Sequence, residues 1–383
     1  MSVEIKPIGT SKKELLKYIK FGIDLYKGNP YFVPPLIEDD LATLSPDKNP
    51  AYDNCSAQLF MAFRDGKPVG RIAAIINDLV NIKDGEKVLR FGFVDFIDDD
   101  EVVDALFDAA EQWGRSRGCT SMVGPMGFTD LDHEGMLIEG FDEMGTMATI
   151  YNYPYYPKHM ERMGFAKDVD WVEYRMKVPD AVPEKYQRIA DIVKRKYNLQ
   201  VKKYTSRKKI KEEYGVALFE LINEAYADLY GYSPLTPRQI DYYINAYLGM
   251  LRLEDVCVVA DANDRLVAVG ISMPSMSKAL QKSGGKMWPF GWFHLLRAIK
   301  GHSDVVDLLL VAVKPEYQSR GVNAVLFADL IPNYIANGYK YAESNLELEG
   351  NENVQKQWEY FERRQHRRRR AWRRSIENSL AAR

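Results

Sequence analysis

Apolar positions recur along this chain at two spacings, helical and alternating, and their order gives a first outline of the fold. Leu15, Leu16, Ile19, Ile23 and Leu25 repeat at three- and four-residue intervals, which predicts a helix over Lys13 to Tyr26. Leu59 to Asn77 reads as two strands joined at Asp65-Gly66, a pair suited to the positive φ angles of a tight hairpin turn. Val88 to Phe96 predicts another strand. Val102 to Trp113 predicts a helix with Val103, Leu106, Phe107 and Ala110 on one face, closed by Gly118. A short strand at Thr120 to Val123, a long Gly-rich connection from Gly124 to Ile150 and a strand at Trp171 to Val178 complete the first half.

Pro179 to Pro183 interrupts both periodicities and predicts a linker. Beyond it the same order of elements returns. A helix at Val216 to Leu229 precedes a strand pair, Val256 to Ala260 and Leu266 to Ser272, joined by Asp261 to Arg265. After an insertion come a strand at Val305 to Val313, a helix from about Val322 to Ile335, a strand at Tyr341 to Leu346 and a final helix from about Asn353. The expected class is α/β, with two related units in tandem, mixed central sheets and flanking helices. The expected boundaries are residues 1–178, a linker at 179–200, and 201–383.

Composition narrows the chemistry. The 383 residues carry 46% hydrophobic and 28% charged side chains, which excludes a wholly disordered or fibrous chain. The formal net charge of −2 argues against a nucleic-acid partner for the chain as a whole. Cys55, Cys119 and Cys257 are far apart, so neither a disulfide framework nor a cysteine zinc site is expected. The five histidines, His133, His159, His294, His302 and His366, show no metal-binding spacing, and no metal is expected. MSVEIKPIG is not a secretory leader, and no run approaches the ~20 apolar residues of a membrane span. A cytoplasmic chain, with at most peripheral membrane contact, is the expectation.

The segment with the clearest chemistry runs from Val305 through the buried strand to Pro315, the loop Glu316-Tyr317-Gln318-Ser319-Arg320-Gly321, and a helix opening at Val322. Successive N–H groups at such a helix start make a concave anion site, aided by the helix dipole. Gly321 lets a phosphate approach the backbone closely, and Arg320 adds positive charge. The plainer reading is a strand–loop–helix crossover in which glycine only shapes the turn. The stretch also resembles the acyl-CoA-binding motif of the GNAT superfamily of N-acyltransferases, [QR]-x-x-G-x-[GA], with Gln318, Gly321 and the lead-in Val311-x-Val313-x-Pro315 in place. One position departs, since Asn323 stands where the family has Gly or Ala.

The resemblance implies an acyl-CoA-dependent N-acyltransferase with acetyl-CoA or a longer acyl-CoA as co-substrate and no metal. The acceptor would be an amine on a small or lipid-like molecule. Backbone at Val311 and Val313 would meet the pantetheine arm. The loop amides of Gln318, Ser319, Arg320, Gly321, Val322, Asn323 and Ala324 would hold the pyrophosphate. The spacing Asn353-x-x-Lys356-x-x-x-Tyr360 fits the family's last helix. It makes Asn353 a donor-binding candidate and Tyr360 a candidate to protonate the leaving thiolate, the alternative for Tyr360 being a core aromatic beside Trp358 and Phe361. A neutral amine requires a base. Asp307 stands where some family members carry one, and Glu343 and Glu347 are rivals. A non-catalytic module that binds CoA, or associates with membrane or RNA, is the alternative function.

The first half resembles a degenerate copy, with Met160-Glu161-Arg162-Met163-Gly164-Phe165 similar to the helix end that closes many GNAT domains. At the place of its phosphate loop stand Asp98, Asp99, Asp100 and Glu101, which suit a helix cap and would repel a pyrophosphate. This half is expected to serve the acceptor or a structural role rather than bind CoA. In the Gly-rich connection, His133, Glu134, Tyr151, Tyr153, Tyr155 and Tyr156 either line an acceptor pocket or pack a seam between the halves. Two surface features remain. Residues 284–300 are rich in aromatics flanked by Lys286, Arg297 and Lys300, as in an interfacial membrane segment or a covering insertion. Arg363 to Arg374, RRQHRRRRAWRR, reads as a basic tail that is either a solvated helix face or a set of partners for acidic surface, with phosphate binding the minority reading.

Overall fold

The computed structural model describes residues 2–247, 251–300 and 303–376, with the backbone alone for Asn353. In chain order, the first elements are β1 (Glu4–Ile8), α1 (Lys12–Leu25), α2 (Ile37–Thr43), β2 (Cys55–Arg64), β3 (Lys67–Asn77) and α3 (Asp78–Asp84). There follow β4 (Val88–Phe96), α4 (Asp100–Arg115), β5 (Ser121–Gly124), β6 (Met136–Glu139), α5 (Tyr155–Arg162) and β7 (Ala166–Lys177). The chain continues through α6 (Glu184–Tyr197), β8 (Gln200–Lys202), α7 (Arg207–Ala225), α8 (Pro237–Tyr247), β9 (Val256–Ala260), β10 (Leu266–Pro274), α9 (Ser277–Ser283) and α10 (Gly291–Ile299). It ends with β11 (Val305–Val313), α11 (Val322–Ala336), β12 (Tyr341–Ser344), β13 (Glu347–Leu348), α12 (Glu352–Lys356) and β14 (Arg363–Ser375).

The chain divides into two compact units that exchange segments. Unit 1 holds the residues up to Trp171, Ser277–His294 and the residues from Arg367 onward. Unit 2 holds Val172–Met276 and Leu295–His366. A linear split at 178 therefore misplaces three segments. The expected linker at 179–200 is mostly α6, whose Tyr186, Ala190 and Val193 recur at helical spacing and are buried in the core of unit 2. The prolines before it mark its start, with Pro183 at the N-cap.

In unit 1 the strand order is β1-β2-β3-β4-β5-β14. The pairing is antiparallel except for β4 with β5, which are parallel and connected through α4. Asp65 and Gly66 at the β2–β3 turn take φ angles of 54° and 74°, both left-handed. The near-continuous apolar runs of β2 and β3 follow from burial on both faces. Phe60, Ala62, Ile72 and Ala74 pack with α4, whereas Leu59, Met61, Phe63, Ala73 and Ile75 pack with α1. The acidic run caps α4: Asp99 accepts a hydrogen bond from the Val102 amide at 3.1 Å and pairs with Arg64 at 2.7 Å. Asp98 pairs with His159 at 2.8 Å, Asp100 with Arg162 at 3.0 Å, and Glu101 with Arg64 at 2.9 Å. The tyrosines of the Gly-rich connection take part in a hydrogen-bonded aromatic cluster of unit 1. Tyr156 shares a 2.8 Å hydrogen bond with Tyr26, which donates to Asp95 at 2.8 Å, and Tyr155 donates to the Phe96 carbonyl at 2.7 Å, all within unit 1.

The largest correction concerns the arginine-rich end. It is a strand, β14, rather than a solvated tail, and α12 before it is only a short helix. Its period of two places Arg367, Arg369 and Ala371 on one face and Arg368, Arg370 and Trp372 on the other. Arg367 and Arg369 are fully buried and donate to the carbonyls of Met144 and Ile150. Arg370 makes a bidentate pair with Asp170 at 2.7 and 3.0 Å. Burial works against the Asp170 carboxylate, yet hydrogen bonds from Arg370 and Lys167 hold it below the usual range. Arg373 pairs with Asp168 and Glu86, and Arg374 with Glu111. These cations pair with carboxylates and carbonyls of unit 1.

Buried carboxylates in unit 1 make its stability depend on pH. Burial pushes Asp40 up to about 7 and Asp130 and Asp132 up to about 6. The folded chain thus keeps protons that the unfolded chain releases above pH ~4, so stability is full below that value and falls as pH rises through ~6–7. Unit 1 should melt at a higher temperature at pH 5 than at pH 8, and Asp40→Asn should flatten that difference in a thermal denaturation series.

In unit 2 the order is β8-β9-β10-β11-β12-β7, with β11 and β12 parallel and α11 as their crossover. The topology around the parallel pair repeats that of unit 1. Val322, Val325, Leu326 and Leu330 of α11 are buried against α6 and the sheet. All three cysteines are buried thiols. Among the described residues no helix is long and apolar enough to cross a membrane, and no cluster of His, Cys, Asp or Glu could hold a metal ion.

Candidate active site

β11 positions the candidate site in unit 2. Along one edge it pairs with β10 from Val306↔Pro274 to Val313↔Ala268, with a bulge at Leu309. Along the other, pairing with β12 runs only from Val305↔Tyr341 to Leu308↔Ser344. Beyond Ser344 the chain turns away, with Asn345 donating to the Leu309 carbonyl at 3.1 Å. The strands therefore part at Leu309, and Leu309, Leu310 and Val311 are only half-buried. Tyr226, at the C-cap of α7, donates to the Val311 carbonyl at 2.9 Å. Sequence periodicity gave no sign of this tyrosine's role.

The loop above this opening is shaped by backbone geometry. Gln318 donates through Nε2 to the Val313 carbonyl at 3.1 Å, fixing the turn after the strand. Ser319 and Gly321 take φ angles of 58° and 82°, and two left-handed residues so close together curl the intervening amides into a concavity. Gly321 is the N-cap of α11, and no side chain caps that helix. Its first N–H groups are thus oriented for an external anion. Gln318, Ser319 and Arg320 are exposed, whereas Val322 and Ala324 are buried and hold the helix start in place. A Cβ at Gly321 would lie 3.0 Å from Ile189 Cγ2 and 3.3 Å from Val193 Cγ2 of α6, so the loop sits directly on that helix. Asn323 donates to Gln357 Oε1 at 3.0 Å, an alternative use for the position that is small in the resembled motif.

The acidic candidates separate by position. Asp307 and Glu343 are register partners on β11 and β12, both buried at the closed end of the parallel pair. Glu343 also accepts from Arg175 at 3.0 Å. Glu347 lies past the point where the strands part. Burial pushes its carboxyl up to about 7, against a 2.7 Å hydrogen bond from Trp358 Nε1. Tyr360 is half-exposed, with the Lys185 ammonium donating to its hydroxyl and lying 3.9 Å from its ring centroid. Trp358 occupies the core position instead. The side chain of Asn353 lies outside the described residues. Val313 is half-buried at the end of β11, next to the loop.

Unit 1 closes the equivalent opening. β4 and β5 pair only from Val88↔Ser121 to Arg90↔Val123, after which the Met126 amide donates to the Phe91 carbonyl at 2.8 Å. A Cβ on Gly92 would lie 2.2 Å from the Met126 carbonyl oxygen, so backbone fills the space between the strands. The acidic cap of α4 removes the anion site as well. A groove of about 930 Å³ on unit 1, lined by Lys12, Lys17, Lys20 and Phe21 among others, contains no residue of the candidate site.

Two units, each with a parallel central strand pair and a helical crossover, one of them ending in an open phosphate-type loop, define a tandem fold of the GNAT type. A tandem GNAT protein from the clavulanic acid biosynthesis pathway superposes over 99% of this chain and 100% of its own, with a TM-score of 0.58 and 13% identity. A probable N-acyltransferase from Enterococcus faecalis superposes over 98% of this chain and 73% of its own, with a TM-score of 0.53 and 10% identity. The fold is thus of the GNAT type, and the chain belongs to the family of Protein YghO from Escherichia coli K12, with which it is 30% identical over 323 residues, 84% of this chain and 81% of that protein. It is also 28% identical over 314 residues to a bacterial ceramide synthase of Caulobacter vibrioides, covering 80% of this chain and 79% of that protein. No family model matches the sequence.

Proposed function

We propose that this protein is an acyl-CoA-dependent N-acyltransferase whose donor binds unit 2 and whose acceptor is the amine of a long-chain, lipid-like molecule. The observation that carries the donor assignment is the parting of β11 from β12 at Leu309, directly beside the uncapped start of α11. A flexible pantetheine arm fits such an opening, and the amides from Gln318 to Ala324 offer donors to a pyrophosphate. The acceptor class is supported by the relative named a ceramide synthase, since ceramide is the amide of a long-chain amino alcohol.

In this reading the amine attacks the thioester carbonyl directly, and a backbone N–H of β11 steadies the developing oxyanion. The base is Glu347, which stands on the open side of the strand pair and titrates near neutrality, where a general base is most effective. The Tyr360 hydroxyl, already accepting from Lys185, keeps its own proton available for the leaving thiolate. A labelled-donor screen of amines tests the activity, and isothermal calorimetry with acetyl-CoA and palmitoyl-CoA tests the site. Binding of neither would remove the proposal. Because Glu347 must be ionised to act, turnover should rise with pH through about 7. Glu347→Gln should lower kcat by about 10²-fold or more, abolish that pH limb and leave donor affinity unchanged. A full pH limb in the variant would move the base to Asp307 or Glu343.

A further inference from the structure

Between β10 and β11 the chain leaves unit 2 and forms a segment of unit 1 whose base is anchored and whose tip is not. Ser277 donates to the Gly145 carbonyl at 3.0 Å, and Gln281 donates to the carbonyls of Pro30 and Phe32 at 2.8 and 3.0 Å. The Ile37 amide donates to the Gly285 carbonyl at 2.9 Å. Gly285 is held at a φ of 73°, where a Cβ would lie 2.2 Å from the Pro35 carbonyl oxygen. Immediately past this anchor the side chains turn outward. Trp288 and Phe290 are 73% and 74% exposed, and Trp292, Phe293 and Leu296 on the first turns of α10 are exposed as well. An aqueous surface does not sustain such a cluster without a use for it.

Two further properties specify what the tip meets. Three of its donors are already bonded within the tip: Trp292 Nε1 donates to the Pro289 carbonyl at 3.0 Å, and the amides of Trp292 and Phe293 donate to the carbonyls of Met287 and Phe290. Pro289 has no N–H to satisfy. Entering an apolar phase therefore strands few donors, which is the main obstacle for irregular backbone. The charge pattern is one-sided. From Arg265 to Ser303 there is no aspartate or glutamate, while Lys278, Lys282, Lys286, Arg297 and Lys300 are all present and exposed. This stands out in a chain with more carboxylates (54) than lysines and arginines (52). Exposed aromatics flanked along the chain by cations match the interfacial layer of an anionic bilayer, where tryptophan rings sit at headgroup depth and basic residues meet lipid phosphates. A protein partner would need a shaped apolar socket with an acidic rim, whereas a fluid bilayer accommodates any convex tip.

We infer that Lys286–Lys300 is a membrane-interface anchor that inserts Trp288, Phe290, Trp292 and Phe293 among the headgroups of anionic lipids. The inference rests on this segment alone and does not depend on the acyl-transfer reading.

The test uses the full chain with vesicles of phosphatidylcholine, with and without phosphatidylglycerol. The wild type should sediment with the anionic vesicles, bind pure phosphatidylcholine at least tenfold more weakly, and lose binding as salt rises. Bromine-labelled acyl chains should quench its tryptophan emission, and Trp288→Phe should lose a large part of that quenching. The double variant Trp288→Ser/Phe290→Ser should bind at least tenfold more weakly at an unchanged melting temperature, and Lys286→Glu/Arg297→Glu should remove the preference for anionic lipid. Donor binding measured by calorimetry should be the same in every variant, so failure of the donor site and failure of the anchor are told apart. Equal binding of wild type and double variant, or no binding by the wild type, would overturn the inference. So would concentration-dependent self-association that the double variant abolishes, since the tip would then face a second copy of the chain.

Discussion

Gly321→Val is expected to weaken acyl-CoA binding by at least about 100-fold, roughly 3 kcal/mol, while unit 2 stays folded. Gly321 sits at a φ of 82°, a region that a β-branched residue enters only with strain. Its Cβ would also meet Ile189 Cγ2 at 3.0 Å, and the valine methyls would reach further into α6. The loop must then rotate out of the left-handed conformation or lift from the helix. Either movement dismantles the concavity between Ser319 and Gly321. The loop itself is exposed, and the core residues of α11 begin only at Val322, so the cost to global stability should be modest. Gly321→Ala meets the same φ with less bulk and should lie between the two. Calorimetry with acetyl-CoA beside thermal denaturation checks both halves of the expectation, and undiminished affinity in the valine variant would place the anion site elsewhere.

Truncation after His366 should unfold unit 1. The deletion removes β14, and with it the ladder from Trp372↔Gly124 to Ser375↔Ser121 on β5 and the pairing with β6. It removes the buried side chains of Trp372, Ala371, Arg367 and Arg369. Loss of a buried tryptophan alone costs about 3–5 kcal/mol. Asp170, whose side chain is 1% exposed, would also lose Arg368 and Arg370, and breaking a buried ion pair costs about 3–5 kcal/mol. Together these approach the ~5–15 kcal/mol that holds a typical domain. Limited proteolysis and near-UV circular dichroism should show residues before Trp171 exposed in the truncated chain. Trp372→Ala should show a smaller loss in urea denaturation. A truncated chain with native protection of these residues would contradict the role assigned to β14.

How far the sequence carried the structure depended on whether local pattern and tertiary context agreed. β4, β9, β11 and α11 lie within a residue or two of their sequence expectations because each carries an uninterrupted apolar stripe between clear turn residues. The loop at Gln318–Gly321 was legible as a turn because a glycine stands between a buried apolar strand and a helix start. The arginine-rich strand was not. Its apolar content is almost nil, and a strand of buried guanidiniums is recognisable only once Asp170, Asp168, Glu86 and Glu111 are seen to face it from distant parts of the chain. The linker reading of 179–200 failed for a related reason, since two prolines outweighed the weaker spacing of Tyr186, Ala190 and Val193. Among the acidic candidates, composition could not rank Asp307, Glu343 and Glu347. What separates them is where β11 parts from β12, and that depends on the register of residues some 36 positions apart.

The placement of β14 also sets a schedule for the molecule's synthesis. Chains generally fold from the N-terminus as they emerge, but here the first unit waits for the part of β14 that is translated after all of unit 2. A ribosome that stalls or terminates early would release the whole of unit 2 up to His366 together with an incomplete unit 1. Quality control would therefore act on unit 1 according to whether β14 was ever made.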